Sequence, residues 1–142
     1  MKKMDEHFVW KFTIFGKPIS QKNSKRVGLA KGRAYMYTPA NVKKWHKSAV
    51  HQLEAQLLES RNPGAQLVPA IPNKTEMEIK LISYLAKGQS IDVDNLAAAP
   101  LDAMQTAGIY SNDYWARCIN SSRKKDWVNP RVEIEITKYR ED

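Results

Sequence analysis

Between Ser90 and Asp113 the chain reads SIDVDNLAAAPLDAMQTAGIYSND. Two carboxylates, Asp92 and Asp94, stand two positions apart near its beginning, and a third, Asp113, follows a glycine at Gly108. Three carboxylates held together repel one another and raise their own pKa values, a cost that a divalent cation removes. Oxygen-only ligation suits Mg2+, with Mn2+ as the other candidate, because these ions keep several waters and take few protein carboxylates. A cation so held polarises a phosphoryl oxygen and supplies hydroxide, so phosphodiester cleavage is the natural chemistry. Taken alone, the spacing also fits plainer roles: Asp94 or Asn95 as a helix cap, Asp102 on a solvated helix face, and Asp113 in an ordinary turn.

The metal-holding reading places a demand on the chain between the acids. The Ala- and Leu-rich stretch suits a helix of about three turns, whose far end lies ~15 Å from its start. Asp113 rejoins the pair only if the chain doubles back after Gly108. Pro100 is compatible with a helix that begins at Asn95 to Leu96, or that kinks at the proline. Leu96, Ala99, Ala103 and Ala107 then form a face of mostly small residues that allows close approach to a neighbour.

The run Asp92-Val93-Asp94-Asn95-Leu96, then Leu101-Asp102-Ala103-Met104, then Gly108-Ile109-Tyr110 and Asn112-Asp113, resembles the signature of the RusA-type Holliday junction resolvases of bacteria and their prophages. That resemblance extends more loosely to the length of the chain and the order of its elements. It implies that Asp92, Asp94 and Asp113 are the catalytic, metal-binding carboxylates of a Mg2+-dependent endonuclease. Such an enzyme cuts four-way DNA junctions symmetrically on two strands, in recombination and repair, and acts as a homodimer. The sequence departs from the family pattern at two places, with Ala98 where the family carries a lysine and Asn112 where the first acid of a pair is common. Removing one preorganised cation beside a reacting phosphate typically costs ~10²–10³ in rate. Lys87 and Arg117 are the nearest substitutes in sequence. Without a substitute, the alternative is a catalytically weak or inactive protein that binds branched DNA.

The charge pattern agrees with a nucleic-acid partner. The formal net charge is +8, and residues 1 to 34 carry nine Lys or Arg against two acids. The section from Gly16 to Arg33 holds Lys17, Lys22, Lys25, Arg26, Lys31 and Arg33 with no acid, and Asn23 adds a polar donor. Phosphate backbones recruit such stretches, with an affinity that falls steeply with salt. Arg123, Lys124 and Lys125 form a second basic cluster, equally readable as a solvated hairpin tip.

The elements that must position these groups follow from periodicity. Phe8, Trp10, Phe12 and Ile14 alternate as one face of a strand. The Gly-, Pro- and Asn-bearing stretch after it argues against helix and for a loop or hairpin, with Tyr35 to Tyr37 as a short returning strand. Thr38-Pro39 announces a helix with Val42, Trp45, Ala49, Leu53 and Leu57 as its buried stripe, ending near Ser60. His46 and His51, five apart on it, do not share a face as a metal pair would. Prolines 63, 69 and 72 break the connection that follows. Thr75 to Leu85 reads as a strand, and so do Tyr114 to Ser122 and Arg131 to Tyr139, the last two as an antiparallel hairpin.

The expected fold is therefore α+β, a single domain over residues 1–142, with a mixed sheet of about four main strands and two helices. A hydrophobic content of 42% suits one soluble core. No apolar run reaches the ~20 residues of a membrane span, and the N-terminal stretch lacks a signal-peptide core. A single cysteine, Cys118, excludes an internal disulfide and a cysteine zinc site, which agrees with a cytoplasmic protein.

Overall fold

Alternation along β1 (Val9–Phe15) turns Phe12 and Ile14 inward, and the same period in β4 (Met77–Leu85) buries Met77, Ile79, Leu81, Ser83 and Leu85. The computed structural model describes residues 8–20, 26–37, 39–60 and 69–141. Lys22, Asn23, Lys25, the side chain of Arg26 and the cap residue Thr38 lie outside the described residues. Besides β1 and β4, the elements are β2 (Arg26–Ala30), β3 (Arg33–Tyr37), α1 (Ala40–Ser60), α2 (Val93–Thr106), β5 (Ala116–Lys125) and β6 (Arg131–Lys138). A 3-10 turn, Asp113–Trp115, leads into β5. The architecture is α+β, a mixed four-stranded sheet in the order β1-β6-β4-β5 with two helices, beside a two-stranded sheet β2-β3.

Strand order follows burial demand. β4 buries every second residue and takes a central place, whereas no residue of β5 is fully buried and β5 takes the edge. β5 and β6 are therefore not the hairpin that their short connection suggests. β4 lies between them, antiparallel to β6 and parallel to β5. The parallel pairing follows from the crossover through α2, since a helix-length link is what parallel neighbours require. Residues 126–130 step over the end of β4, where the Asp126 N–H donates to Leu85 O. Arg123, Lys124 and Lys125 accordingly belong to β5, not to a turn.

The inner face of the sheet, α1 and α2 share one hydrophobic cluster that includes Phe12, Ile14, Leu53, Leu57, Ile79, Leu81, Met104 and Ile134. The buried stripe of α1 is Val42, Ala49, Leu53 and Leu57, with Trp45 half-buried. β1 is the other edge of the sheet, and α1 covers it in an unusual way. The Gln56 side chain accepts from Thr13 N at 2.8 Å and donates to Thr13 O at 2.6 Å, and Gln52 does the same at Phe15. Residues i and i+4 on a helix and i and i+2 on a strand repeat at nearly the same distance, about 6–7 Å, so two carboxamides serve as a missing strand.

The return of the chain after α2 is sharply defined. Gly108 adopts φ +84°, Ile109 N donates to Met104 O, and Gly108 N donates to Gln105 O. These are the two bonds of a Schellman ending, and Ile109 and Met104 are both fully buried as its apolar contact. α2 starts earlier than the proline suggests, with Asp92 at the N-cap position. Pro100 thus sits in the helix interior, where it leaves the Leu96 carbonyl without its usual donor.

Candidate active site

Three loops meet at the end of the sheet where β1, β4 and β5 finish and β6 begins. The loop 86–92 leaves β4 and carries Asp92. Gln89 fastens this loop, its Oε1 accepting from Ala86 N and its Nε2 donating to Pro18 O at 2.8 Å. The basic stretch that follows β1 therefore begins beside the acidic loop. Gly16 N donates to Pro130 O at 3.1 Å, which ties the same stretch to the connection 126–130.

Asp92 and Asp94 both lie at the N-terminus of α2 and are exposed. Asp92 occupies the cap position, yet its carboxylate makes no capping hydrogen bond and remains 81% accessible. The positive end of the helix dipole favours anionic groups at this place. Beside the pair, Asn95 Oδ1 is buried with no hydrogen-bond partner among the described residues, an oxygen of the type that hard cations and their waters take. The donor set of the pair therefore fits Mg2+ or Mn2+.

Asp113 stands apart from the pair. It opens the 3-10 turn, fixed by Asn112, whose side chain accepts from Tyr114 N at 2.9 Å. Its neighbour is Tyr110, whose buried hydroxyl donates to Leu101 O at 2.7 Å. Burial pushes the Tyr110 phenol far up, and the carboxylates of Asp113 and Asp102 add to that shift. Leu101 lies eight residues beyond Val93, about 12 Å along the helix. The chain does double back after Gly108, but it returns to the middle of α2 and not to its beginning. Among the described residues, no group of three His, Cys, Asp or Glu side chains could hold a metal ion.

A family model described as endodeoxyribonuclease RusA matches residues 16–137. The chain belongs to the RusA endodeoxyribonuclease family. No match was found among the curated proteins compared with it. Membership carries the general activity of the family, endonucleolytic action on DNA, and its kind of substrate, branched DNA. It also covers the three loops just described, since the matched residues begin at Gly16 and run past Pro130.

Within this RusA-family chain, among the described residues, a cation that the spacing of residues did not single out lies beside Asp92. Arg123 Nη1 lies 3.8 Å from Asp92 Oδ1 and donates to Ile91 O at 2.9 Å. Neither expected substitute for the lysine absent at position 98 takes this place. Arg117 pairs with Glu76 at 3.0 Å, reaches Glu141 and lies over the Tyr139 ring near the opposite end of β5. Lys87 lies over the ring of Trp127. Arg123 reaches Asp92 because β5 lies parallel to β4 with Arg123 opposite Ser83, on the face covered by α2. Ser121, two residues earlier on that face, donates to Val93 O at 2.7 Å and fastens the first turn of α2. Only the parallel register reveals either contact.

Of the expected DNA-binding residues, Lys17, Lys31 and Arg33 are exposed. Lys31 and Gly32, with φ of +53° and +75°, form the tight turn between β2 and β3, so Arg26 to Tyr37 is a two-stranded hairpin. Ala98 is exposed on α2, one turn beyond Asp94. Among the described residues, no helix is long and apolar enough to cross a membrane.

Proposed function

We propose that this protein is a divalent-metal-dependent endonuclease that cleaves four-way DNA junctions, and that its reaction centre is the end of α2 bearing Asp92 and Asp94. The observation that carries this reading is the exposed carboxylate pair, with Arg123 3.8 Å from Asp92, in a chain of the RusA family. Asp92 and Asp94 would hold the cation, Mg2+ or Mn2+, which would supply a hydroxide nucleophile and neutralise charge on the phosphate. Arg123 supplies positive charge for the phosphate oxygens, the role that a lysine at position 98 has in the family pattern. Lys17, Lys31 and Arg33, together with Lys22, Asn23, Lys25 and Arg26, hold the backbone of the arms. Asp113 is the third acidic group of the centre. Since it stands apart within one chain, it reaches the cation through a change on DNA binding or through a second subunit. A junction cut on two equivalent strands calls for two equivalent sites, and thus for a homodimer with a two-fold axis.

The test is incubation of the protein with four-way and linear DNA, with and without Mg2+ or Mn2+, beside Asp92→Asn. Metal-dependent paired nicks in the junction alone, lost in Asp92→Asn, are the expected result. Junction cleavage that survives this substitution removes the acidic pair from the reaction. Metal-independent binding with no nicking by the unaltered protein favours the other reading, a branched-DNA-binding protein without activity, which Ala98 suggests.

A further inference from the structure

We infer that Trp127 and Val128 form a wedge that enters the branch point of the DNA and stacks on an exposed base. This inference rests on the junction-cleaving function proposed above. The connection 126–130 presents the two residues side by side at its tip, Trp127 58% and Val128 95% exposed. Apolar side chains on a mobile loop would signify little, but this turn is held in shape. Asp126 Oδ1 accepts from Val128 N at 3.2 Å and from Asn129 N at 3.1 Å, while Asp126 Oδ2 accepts from Arg131 at 2.8 Å. Arg131 in turn lies 3.8 Å over the Tyr84 ring and pairs with Glu133. The protein thus fixes a turn whose most prominent side chains are apolar and meet water, the arrangement expected of a surface that engages a partner.

Charge identifies that partner. Arg123, Lys124 and Lys125 precede the tip directly, and Lys87 Nζ sits 5.5 Å from the centre of the Trp127 ring. An exposed aromatic side chain with one cation over its ring and a basic run leading up to it meets the requirements of a nucleotide, with the ring for the base and the cations for its phosphates. The position suits a branched substrate. Trp127 stands four positions beyond Arg123, the partner of Asp92, and four positions of chain reach at most about 13 Å even when fully extended. The tip therefore sits a few nucleotides from the phosphate at the acidic pair. Apolar wedges of this kind unstack a base step and bend the duplex, and a branch point offers a step that is already weakened.

The experiment uses the Asp92→Asn protein, which leaves DNA intact, bound to saturation on a four-way junction with thymines at the branch and in mid-arm. Permanganate oxidises thymines that have lost their stacking. Branch thymines are expected to become at least several-fold more reactive on binding, with mid-arm thymines unchanged. Adding Trp127→Ala is expected to return them to the level of the free junction and to weaken junction binding about tenfold. Linear duplex binding changes less than twofold, and Trp127→Phe retains the branch reactivity. Unchanged branch reactivity in Trp127→Ala at full occupancy overturns the wedge and leaves the nuclease reading intact. Conversion of Trp127→Ala from a dimer to a monomer by light scattering also overturns it, because the tip would then be a subunit contact. Failure of the Asp92→Asn protein to prefer junctions over duplex overturns the junction reading itself.

Discussion

Arg123 shows how one contact changes the reading of a site. By sequence it belongs to a basic run at the end of a strand, and nothing in its spacing links it to Asp92, thirty-one positions earlier. The parallel register of β4 and β5 makes the link, and with it the acidic pair has a cation despite Ala98. If Arg123 acts on the phosphate, Arg123→Ala lowers the rate of junction cleavage about 10²-fold while junction affinity falls only a few-fold. The complementary change is Ala98→Lys. A lysine there stands four residues beyond Asp94 on an exposed face, the spacing at which opposite charges on a helix meet. In the Arg123→Ala background it restores part of the lost rate, measured in single-turnover cleavage. No recovery would mean that Arg123 positions the loop through Ile91 and leaves the phosphate to other groups. The separation of Asp113 is a lesson of the same scale. Gly108 announces the reversal of the chain correctly, but a reversal fixes direction and not distance, and the Tyr110 hydroxyl anchors the returning chain to Leu101.

Faces of elements were legible in the sequence, and neighbours were not. Alternation in β1, β4 and β6 and the stripe on α1 identify the core because burial depends on period alone. The placing of β4 between β5 and β6 depends on a comparison among strands, and the short connection 126–130 misleads because five residues suffice either for a turn or for a step across one strand. The pairing of Gln52 and Gln56 with β1 is equally hidden, since glutamines on a helix usually meet water. Gln56→Ala is expected to lower unfolding stability by about 1–2 kcal/mol, because it removes two hydrogen bonds and leaves the Thr13 backbone unpaired. The double substitution with Gln52→Ala also opens a strand edge and promotes self-association, visible by light scattering. The connection 126–130 is sensitive to acid for a stated reason. The hydrogen bond from Arg131, followed by those from backbone N–H groups, holds the Asp126 carboxyl below its ordinary value of 3.8. A depressed folded-state pKa contributes stability that is complete above that value and is lost as pH falls through the lowered one. Asp126→Asn should therefore melt at a lower temperature than the parent at neutral pH, and the two melting curves should converge well below pH 3.8.

At the scale of the whole molecule, one end of the sheet carries the acidic pair, the start of the basic stretch and the apolar tip, and Gln89 and Gly16 link the three. The sign of the net charge was legible at once, but its use depends on this convergence, because a basic stretch that began elsewhere would hold DNA without presenting it to Asp92. The hairpin and the acidic end then divide the work. On the proposed function, phosphate contacts by Lys17, Lys31, Arg33 and their neighbours would supply affinity without sequence or shape preference, while the acidic end and its surroundings would act on the branch. Each phosphate neutralised releases counterions, so the logarithm of the binding constant falls by about 0.9 per unit of log salt for every contact. If the six cations between Gly16 and Arg33 all serve, a chain contributes a slope near −5. Arg33→Ala, on the exposed strand β3, should flatten the slope by about 1 and weaken junction and linear duplex equally, as titrations across a salt series would show. A loss confined to the junction would instead place Arg33 at the branch, and an unchanged slope would remove the hairpin from the DNA interface.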